Sequence, residues 1–172
     1  LGGQNFARVL AFDTANLATG MDASAVIGQP NFTATAYGTT STSLYLAYGL
    51  AHSATGNRLF VADRENRRVV QFDVTSIANG EPAVSVLGQT ASDGGQSFTS
   101  RCVMNSGASG FSATNGTAKV AIDTANARLF VPDLDNYRIL VFGLDPTTFR
   151  PLDAGASAVI GQPDFSSCSF GS

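Results

Sequence analysis

The sequence predicts an all-β protein built from repeated units of four short antiparallel strands. One observation is that residues 57–73, NRLFVADRENRRVVQFD, are restated seventy residues later as ARLFVPDLDNYRILVFG in residues 127–143. A second is that Val, Ile, Leu and Phe dominate short runs with partial two-residue alternation, separated by residues that favour turns. A third is that no stretch has the apolar spacing of an amphipathic helix.

The first complete unit is predicted to begin with a strand at residues 47–53, AYGLAHS, followed by RLFVAD at residues 58–63. Its third and fourth strands are RRVVQFD at residues 67–73 and AVSVLGQ at residues 83–89. Short segments that contain Asn, two of them with Gly, lie between these strands and predict tight turns. The second complete unit repeats this order, with predicted strands at residues 117–123, 128–133, 137–143 and 156–162.

The third and fourth strands occur once more, as ARVLAFD from residue 7 and ASAVIGQ from residue 23. Each third strand carries an equivalent arginine, and each fourth strand ends at an equivalent glycine: Arg8, Arg68 and Arg138, then Gly28, Gly88 and Gly161. Glycine suits a strand end where the backbone bends. Differences in spacing between the units fall in Gly- and Ser-rich stretches, which predicts surface loops there.

Four-stranded antiparallel units repeated along a chain are typical of β-propeller blades. We therefore predict a β-propeller segment of about two and a half blades. Residues 1–32 are expected to form a partial blade of outer strands, residues 33–90 and 91–165 complete blades, and residues 166–172 a tail or the start of an inter-blade loop. Closed propellers have about four to eight blades, so we expect completion by copies of the chain or by further blades of a longer chain.

The repeated motifs also resemble a known family. GNRLFVADRENRRVVQF followed by VLGQ, and ARLFVPDLDNYRILVF followed by VIGQPDF, are similar to NHL repeats. The trailing VIGQPDF resembles a bacterial, mostly secreted subset of that family with long blades. The resemblance implies a propeller at the cell surface or outside the cell, and it implies no single activity because the family hosts unrelated ones.

The amino-acid composition also indicates an extracellular location. Only 13% of the residues are charged, against roughly 25% in ordinary soluble domains, which is more typical of secreted or surface proteins. The net charge is -3, and the ten basic residues are scattered, whereas phosphate binding needs concentrated Lys and Arg. We therefore expect no nucleic-acid partner, although some animal relatives of the repeat bind RNA. No apolar run reaches about 20 residues, so no membrane span is predicted.

Three polar residues recur between the second and third strands of both complete units. They are Asp63, Asn66 and Arg68, and their equivalents Asp133, Asn136 and Arg138. They form either a ring of groups that binds a ligand or cation, or a structural turn in which Asp and Asn bond to nearby backbone. In the structural interpretation the Arg ties neighbouring strands or blades together. Repetition in each unit favours the structural interpretation, because a catalytic site is usually unique.

An enzyme remains the alternative: a propeller lyase or hydrolase with a metal in the central channel. His52 is the only histidine, and a zinc site of the multi-histidine kind needs more. Oxygen ligands from Asp63, Asp123 or Asp133 leave a structural calcium open, but no D-x-D-x-D loop is present. We predict no cofactor and no catalytic residue.

Two modifications fit an extracellular location. Cys102 and Cys168 both follow a fourth strand, and they are either one disulfide, which we favour, or two free thiols. Asn31 and Asn115 lie in N-x-Thr sequons within predicted loops, which makes them candidates for glycosylation.

The favoured function is a non-catalytic extracellular scaffold or binding module. Unfinished blades expose strand edges that promote pairing, so we expect assembly of copies into a closed ring or a filament, or completion by further blades. Protein or glycan ligands are expected to contact the long loops at residues 32–48 and 90–118.

Overall fold

The computed structural model describes residues 7–89 and 119–167, apart from the side chain of Asn16. Within these residues the chain forms three antiparallel sheets of two, four and four strands, none of them closed into a barrel. The predicted all-β class and the four-stranded antiparallel blades are confirmed. We call the sheets the N-terminal, middle and C-terminal sheets.

The strands follow one another in space in the order in which they occur in the chain. The N-terminal sheet contains β1 (Val9–Ala11) and β2 (Ala25–Ile27). The middle sheet contains β3 (Ala47–Ser53), β4 (Arg58–Asp63), β5 (Arg68–Asp73) and β6 (Ser85–Leu87). The C-terminal sheet contains β7 (Ala121–Asp123), β8 (Arg128–Asp133), β9 (Arg138–Gly143) and β10 (Ala158–Ile160). Two 3₁₀ turns, Thr14–Asn16 and Leu134–Asn136, complete the described elements.

The tight turns within the two four-stranded sheets have the same backbone conformation. Asn57 and Ala127 precede the second strands at φ 48° and 50°, and Arg67 and Tyr137 precede the third strands at φ 53° and 51°. Residues other than glycine seldom adopt this left-handed region. Its use at equivalent positions shows that the turn geometry is repeated even where the residue type changes.

Some predicted strands are shorter in the structure. The strand expected at residues 117–123 is paired only as Ala121–Asp123, and residues 117 and 118 lie outside the described part of the chain. The strand expected at residues 83–89 is paired as Ser85–Leu87, because Gly88 follows at φ 86° and turns the chain.

The glycines after the fourth strands are required by conformation and by space. Gly28 has φ 85° and Gly161 has φ 91°, values that an L residue adopts only with strain. A Cβ at Gly28 would lie 2.6 Å from the Leu44 Cδ1 atom, and a Cβ at Gly161 would lie 3.1 Å from the Tyr137 carbonyl oxygen.

Apolar side chains fill the space between successive sheets. One core joins Phe60, Val69 and Leu87 of the middle sheet to the C-terminal sheet, whose contribution includes Leu129, Val131, Leu140 and Phe142. A second core joins the N-terminal sheet to the other face of the middle sheet and includes Ile27, Leu44, Val61, Val70, Phe72 and Val86. The first strands β3 and β7 lie beside each other. The sheets are therefore stacked face to face, with their first strands on the same side.

A buried polar pair crosses the boundary between the middle and C-terminal sheets. Gln71 donates from Nε2 to the Phe149 carbonyl oxygen at 2.5 Å, and the Ser85 hydroxyl donates to Gln71 Oε1 at 3.1 Å. Gln71 and Ser85 are both buried. Buried polar groups require partners, so this link fixes the position of one sheet on the next.

Candidate functional site: the Asp–Asn–Arg network and the loop it holds

The repeated polar residues of the middle sheet form one buried network. Asp63 ends β4 and Arg68 begins β5 directly opposite it. The Asp63 Oδ2 atom accepts from Arg68 Nε at 2.7 Å and from Asn66 Nδ2 at 2.8 Å, and Asn66 also donates to the Gly38 carbonyl oxygen at 2.7 Å. Arg68 and Asp63 are 0% exposed, so the pair is shielded from water.

The network attaches the loop that precedes β3. Asp63 Oδ1 accepts from the backbone N–H groups of Tyr45 at 2.8 Å and Leu46 at 3.3 Å. The terminal guanidinium nitrogens of Arg68 donate to three carbonyl oxygens, those of Thr39 (2.5 Å), Thr40 (3.1 Å) and Ser43 (2.8 Å). Nearby backbone was expected to partner Asp63 and Asn66, but their backbone partners in this loop lie 17 to 28 residues away in sequence.

The C-terminal sheet repeats the central part of this network. Asp133 Oδ2 accepts from Asn136 Nδ2 at 2.9 Å and from Arg138 Nε at 2.7 Å. Arg138 also donates from Nη1 to the Phe165 carbonyl oxygen. The aspartate is again fully buried. All six side chains that the sequence singled out are thus brought together as two equivalent trios.

The N-terminal sheet has Arg8 at the position equivalent to Arg68 and Arg138, but residues 7–89 and 119–167 provide no aspartate that pairs with it. Arg8 donates from Nη1 to the Phe32 carbonyl oxygen at 2.7 Å and from Nη2 to the Ala34 carbonyl oxygen at 2.5 Å. Phe32 and Phe165 occupy equivalent positions after their glycines. Within the described residues, Arg8 forms no ion pair.

A set of repeated glutamines, for which no role was expected from the sequence, also contributes. Each glutamine follows one of the three repeated glycines and donates to a carbonyl oxygen at the start of the third strand: Gln29 to Ala7, Gln89 to Asn66, and Gln162 to both Asn136 and Tyr137. Gln29 and Gln89 are buried. The signal was available, because glutamine recurs beside every one of those glycines.

The candidate modification sites fall in different parts of the chain. Asn31 is exposed, and its Oδ1 atom accepts from the Thr33 backbone N–H at 3.1 Å and hydroxyl at 2.9 Å, closing a turn. Asn115, Cys102 and Cys168 lie outside the described residues, so their modification stays a prediction.

The turn at Asn31 has an acidic equivalent at Asp164. Its Oδ1 atom accepts from the hydroxyls and backbone N–H groups of Ser166 and Ser167 at 2.8–2.9 Å. These bonds, that of the Ser166 hydroxyl foremost, lower the pKa of Asp164 from 3.8 to about 2. A carboxylate that is bonded in the folded state favours its ionised form.

We therefore expect the Asp164 turn to weaken in acid. Its contribution to stability is complete above pH 3.8 and is lost as the pH falls through about 2. NMR should show the Ser166 amide signal titrating with a midpoint near pH 2 in the wild-type chain and staying constant in Asp164→Asn. The Thr33 amide is the internal control, because Asn31 does not titrate. A midpoint near 3.8 would contradict the expected pKa.

A pocket of about 460 Å³ lies beside the attached loop. Its lining includes Tyr37, Thr42, Ser43 and Asn79. The Tyr37 ring stacks on Tyr45 with centroids 4.4 Å apart and an interplanar angle of 10°. Aromatic, hydroxyl and amide groups at one opening supply both apolar and hydrogen-bonding contacts for a ligand.

His52 lies on β3 opposite Leu59 and is exposed. It lines an apolar groove with Leu50 and Leu59. In residues 7–89 and 119–167, no group of three or more His, Cys, Asp or Glu side chains is arranged to hold a metal ion.

No family model matches the chain, and no curated protein matches it significantly. Neither of the 3₁₀ turns that the structure describes has the length or apolar character of a membrane-crossing helix.

Proposed function

We propose that the protein is a non-catalytic extracellular scaffold and binding module made of NHL-type blades, and that it works by assembling with copies of itself or with further blades. The low content of charged residues supports the extracellular location. The use of the repeated Asp, Asn and Arg side chains to attach backbone supports a structural role for them. Protein or glycan ligands would contact the loop at residues 32–48.

The observation that carries the proposal is the outer face of the C-terminal sheet. This face consists of apolar residues in register across β8, β9 and β10: Phe130, Pro132, Ile139, Val141, Ala158 and Ile160. Ile160 is 49% exposed and Ala158 is exposed, whereas Val141 is buried. The other three side chains, those of Phe130, Pro132 and Ile139, are half-buried. The equivalent face of the middle sheet carries Phe60, Val69 and Leu87, which are buried against the C-terminal sheet. In the middle sheet, the equivalent face is therefore covered by the next sheet. We infer that the outer face of the C-terminal sheet is covered in the same way.

The two faces differ at the polar link. Val141 and Ala158 stand where the middle sheet has Gln71 and Ser85. The outer face is thus more apolar than its buried counterpart. Contiguous apolar surface on a soluble protein marks a site of interaction.

We expect the 17.7 kDa chain to form stable oligomers under native conditions, measured by light scattering coupled to gel filtration and by native mass spectrometry. Ile160→Glu should shift the chain towards monomer, because it places a charge in the apolar contact. Leu134→Glu is the matched control, since Leu134 is 47% exposed but lies in the turn between β8 and β9. A folded wild-type monomer at all tested concentrations would refute self-assembly.

A further inference from the structure

β1 has a hydrogen-bonded neighbour on one side only among the described residues, whereas the equivalent strand β5 has one on each side. β5 lies between β4 and β6, whereas β1 pairs with β2 alone among the described residues. The Ser24 backbone N–H donates to the Ala11 carbonyl oxygen at 2.8 Å, so the peptide groups of Ala11 face the β2 side. Peptide groups alternate sides along a strand, and the N–H and C=O of Leu10 therefore face the free edge.

The middle sheet shows the same alternation with both sides occupied. The Gln71 carbonyl oxygen accepts from Val84 N–H at 2.7 Å on the β6 side. Val74 N–H donates to the Asn57 carbonyl oxygen at 2.9 Å on the β4 side. The backbone of β1 is thus oriented to accept a strand in the position that β4 has beside β5.

An apolar groove of about 330 Å³ lies next to this edge, lined in part by Leu10, Ile27, Leu50, His52, Leu59 and Ile77. The C-terminal sheet has Ile122 and Leu129 where the middle sheet has His52 and Leu59. Ile122 and Leu129 pack in the core that contains Phe60 of β4. The groove therefore lies where a strand carrying an equivalent phenylalanine would pack.

Charges at the two ends of β1 specify the direction of such a strand. Arg8 precedes β1 and Asp13 follows it, and within the described residues neither forms an ion pair. At the equivalent ends of β5, the ion pairs with β4 are Asp63–Arg68 at 2.7 Å and Arg58–Asp73 at 2.5 Å. A strand with Arg at its start and Asp five residues later would place an opposite charge beside each of these two side chains.

We propose that β1 is an acceptor site for a β-hairpin whose second strand has the sequence Arg-Leu-Phe-Val-x-Asp. The strand adds antiparallel to β1, with its Asp opposite Arg8 and its Arg opposite Asp13. Its Phe covers the groove over Leu50 and Leu59. Strand addition takes its affinity from backbone hydrogen bonds and its specificity from side-chain pockets and charges. The inference deepens the assembly role proposed above, but it uses a different surface.

The test measures binding of a labelled synthetic hairpin, residues 47–63 of this chain, to the full chain by fluorescence anisotropy. We expect saturable binding with one hairpin per chain. Leu10→Pro should weaken it about tenfold, because proline removes the N–H that faces the free edge and leaves the β2 pairing in place. Leu10→Ala is the matched control, because it keeps the backbone N–H at this position. Its dissociation constant for the hairpin should stay within about threefold of that of the wild-type chain.

A charge exchange separates pairing from any effect on folding. Arg8→Asp should weaken binding of the wild-type hairpin about tenfold, and a hairpin carrying Asp63→Arg should restore binding to that variant. Equal binding by Leu10→Pro and Leu10→Ala, or by the wild-type hairpin and a scrambled one, would overturn the proposal. The hairpin is also tested on Ile160→Glu: retained binding there, whatever the oligomeric state, identifies β1 as a surface separate from the C-terminal face.

Discussion

Asp63→Ala is expected to lower the free energy of unfolding by about 3–5 kcal/mol, the usual cost of removing one partner of a buried ion pair. Arg68 is 0% exposed and would lose the carboxylate oxygen to which its Nε atom donates. The backbone N–H groups of Tyr45 and Leu46 would lose their acceptor at the same time. Chemical denaturation followed by circular dichroism measures the loss.

The control for Asp63→Ala is Asp73→Ala in the same sheet. Asp73 also pairs with an arginine, Arg58, but its side chain is 38% exposed, and exposed pairs contribute little. Hydrogen exchange adds a local measurement, since residues 38–46 should exchange faster in Asp63→Ala and not in Asp73→Ala. Comparable losses of unfolding free energy in the two variants would contradict the claim that the buried network stabilises the fold more than the exposed Arg58–Asp73 pair does.

Phe60→Ala is expected to lower the free energy of unfolding by about 3–5 kcal/mol, the range for removing a buried aromatic side chain. Phe60 is 0% exposed and lies in the core between the middle and C-terminal sheets. Removal of this side chain should therefore weaken the packing between the two sheets as well as the stability of β4. Denaturant unfolding gives the magnitude, and a change in its slope would indicate that the sheets no longer unfold together.

Phe32→Ala is the matched control for Phe60→Ala. Phe32 is 42% exposed, and its contribution to the Arg8 contact is a backbone oxygen that alanine also has. We expect Phe32→Ala to change the free energy of unfolding by no more than about 0.5 kcal/mol, as most surface substitutions do. If Phe32→Ala were as destabilising as Phe60→Ala, the inter-sheet core would not be the main source of stability.

Much of the fold could be predicted because its determinants are local and repeated. RLFVAD and RLFVPD became β4 and β8 with the predicted bounds. The bounds of the fourth strands were less predictable: β6 ends at Leu87 because the next residue, Gly88, turns the chain. β7 is paired over Ala121–Asp123 whereas its sequence equivalent β3 spans Ala47–Ser53, and the repeated sequence does not predict this difference.

The partners of the network were harder to predict than its members. Asp63, Asn66 and Arg68 stand out because they recur in the next unit. Asn66 and Arg68 donate to carbonyl oxygens, and Asp63 accepts from backbone N–H groups, in a loop at residues 38–46 that has no repeated sequence. Backbone groups of this kind are present in nearly every residue. Spacing alone therefore carries no information about these contacts. The difference at Val141 and Ala158 was visible in the sequence, but its meaning required the strand register.

The attachment of the loop through backbone oxygens has a consequence for variation. Arg68 and Asn66 hold residues 38–46 without using a side chain of that loop. Substitutions at exposed positions of the loop such as Thr42 can therefore accumulate while the loop keeps its place. A surface with a fixed position and freely changing side chains allows new ligand specificities to arise by mutation without loss of the fold.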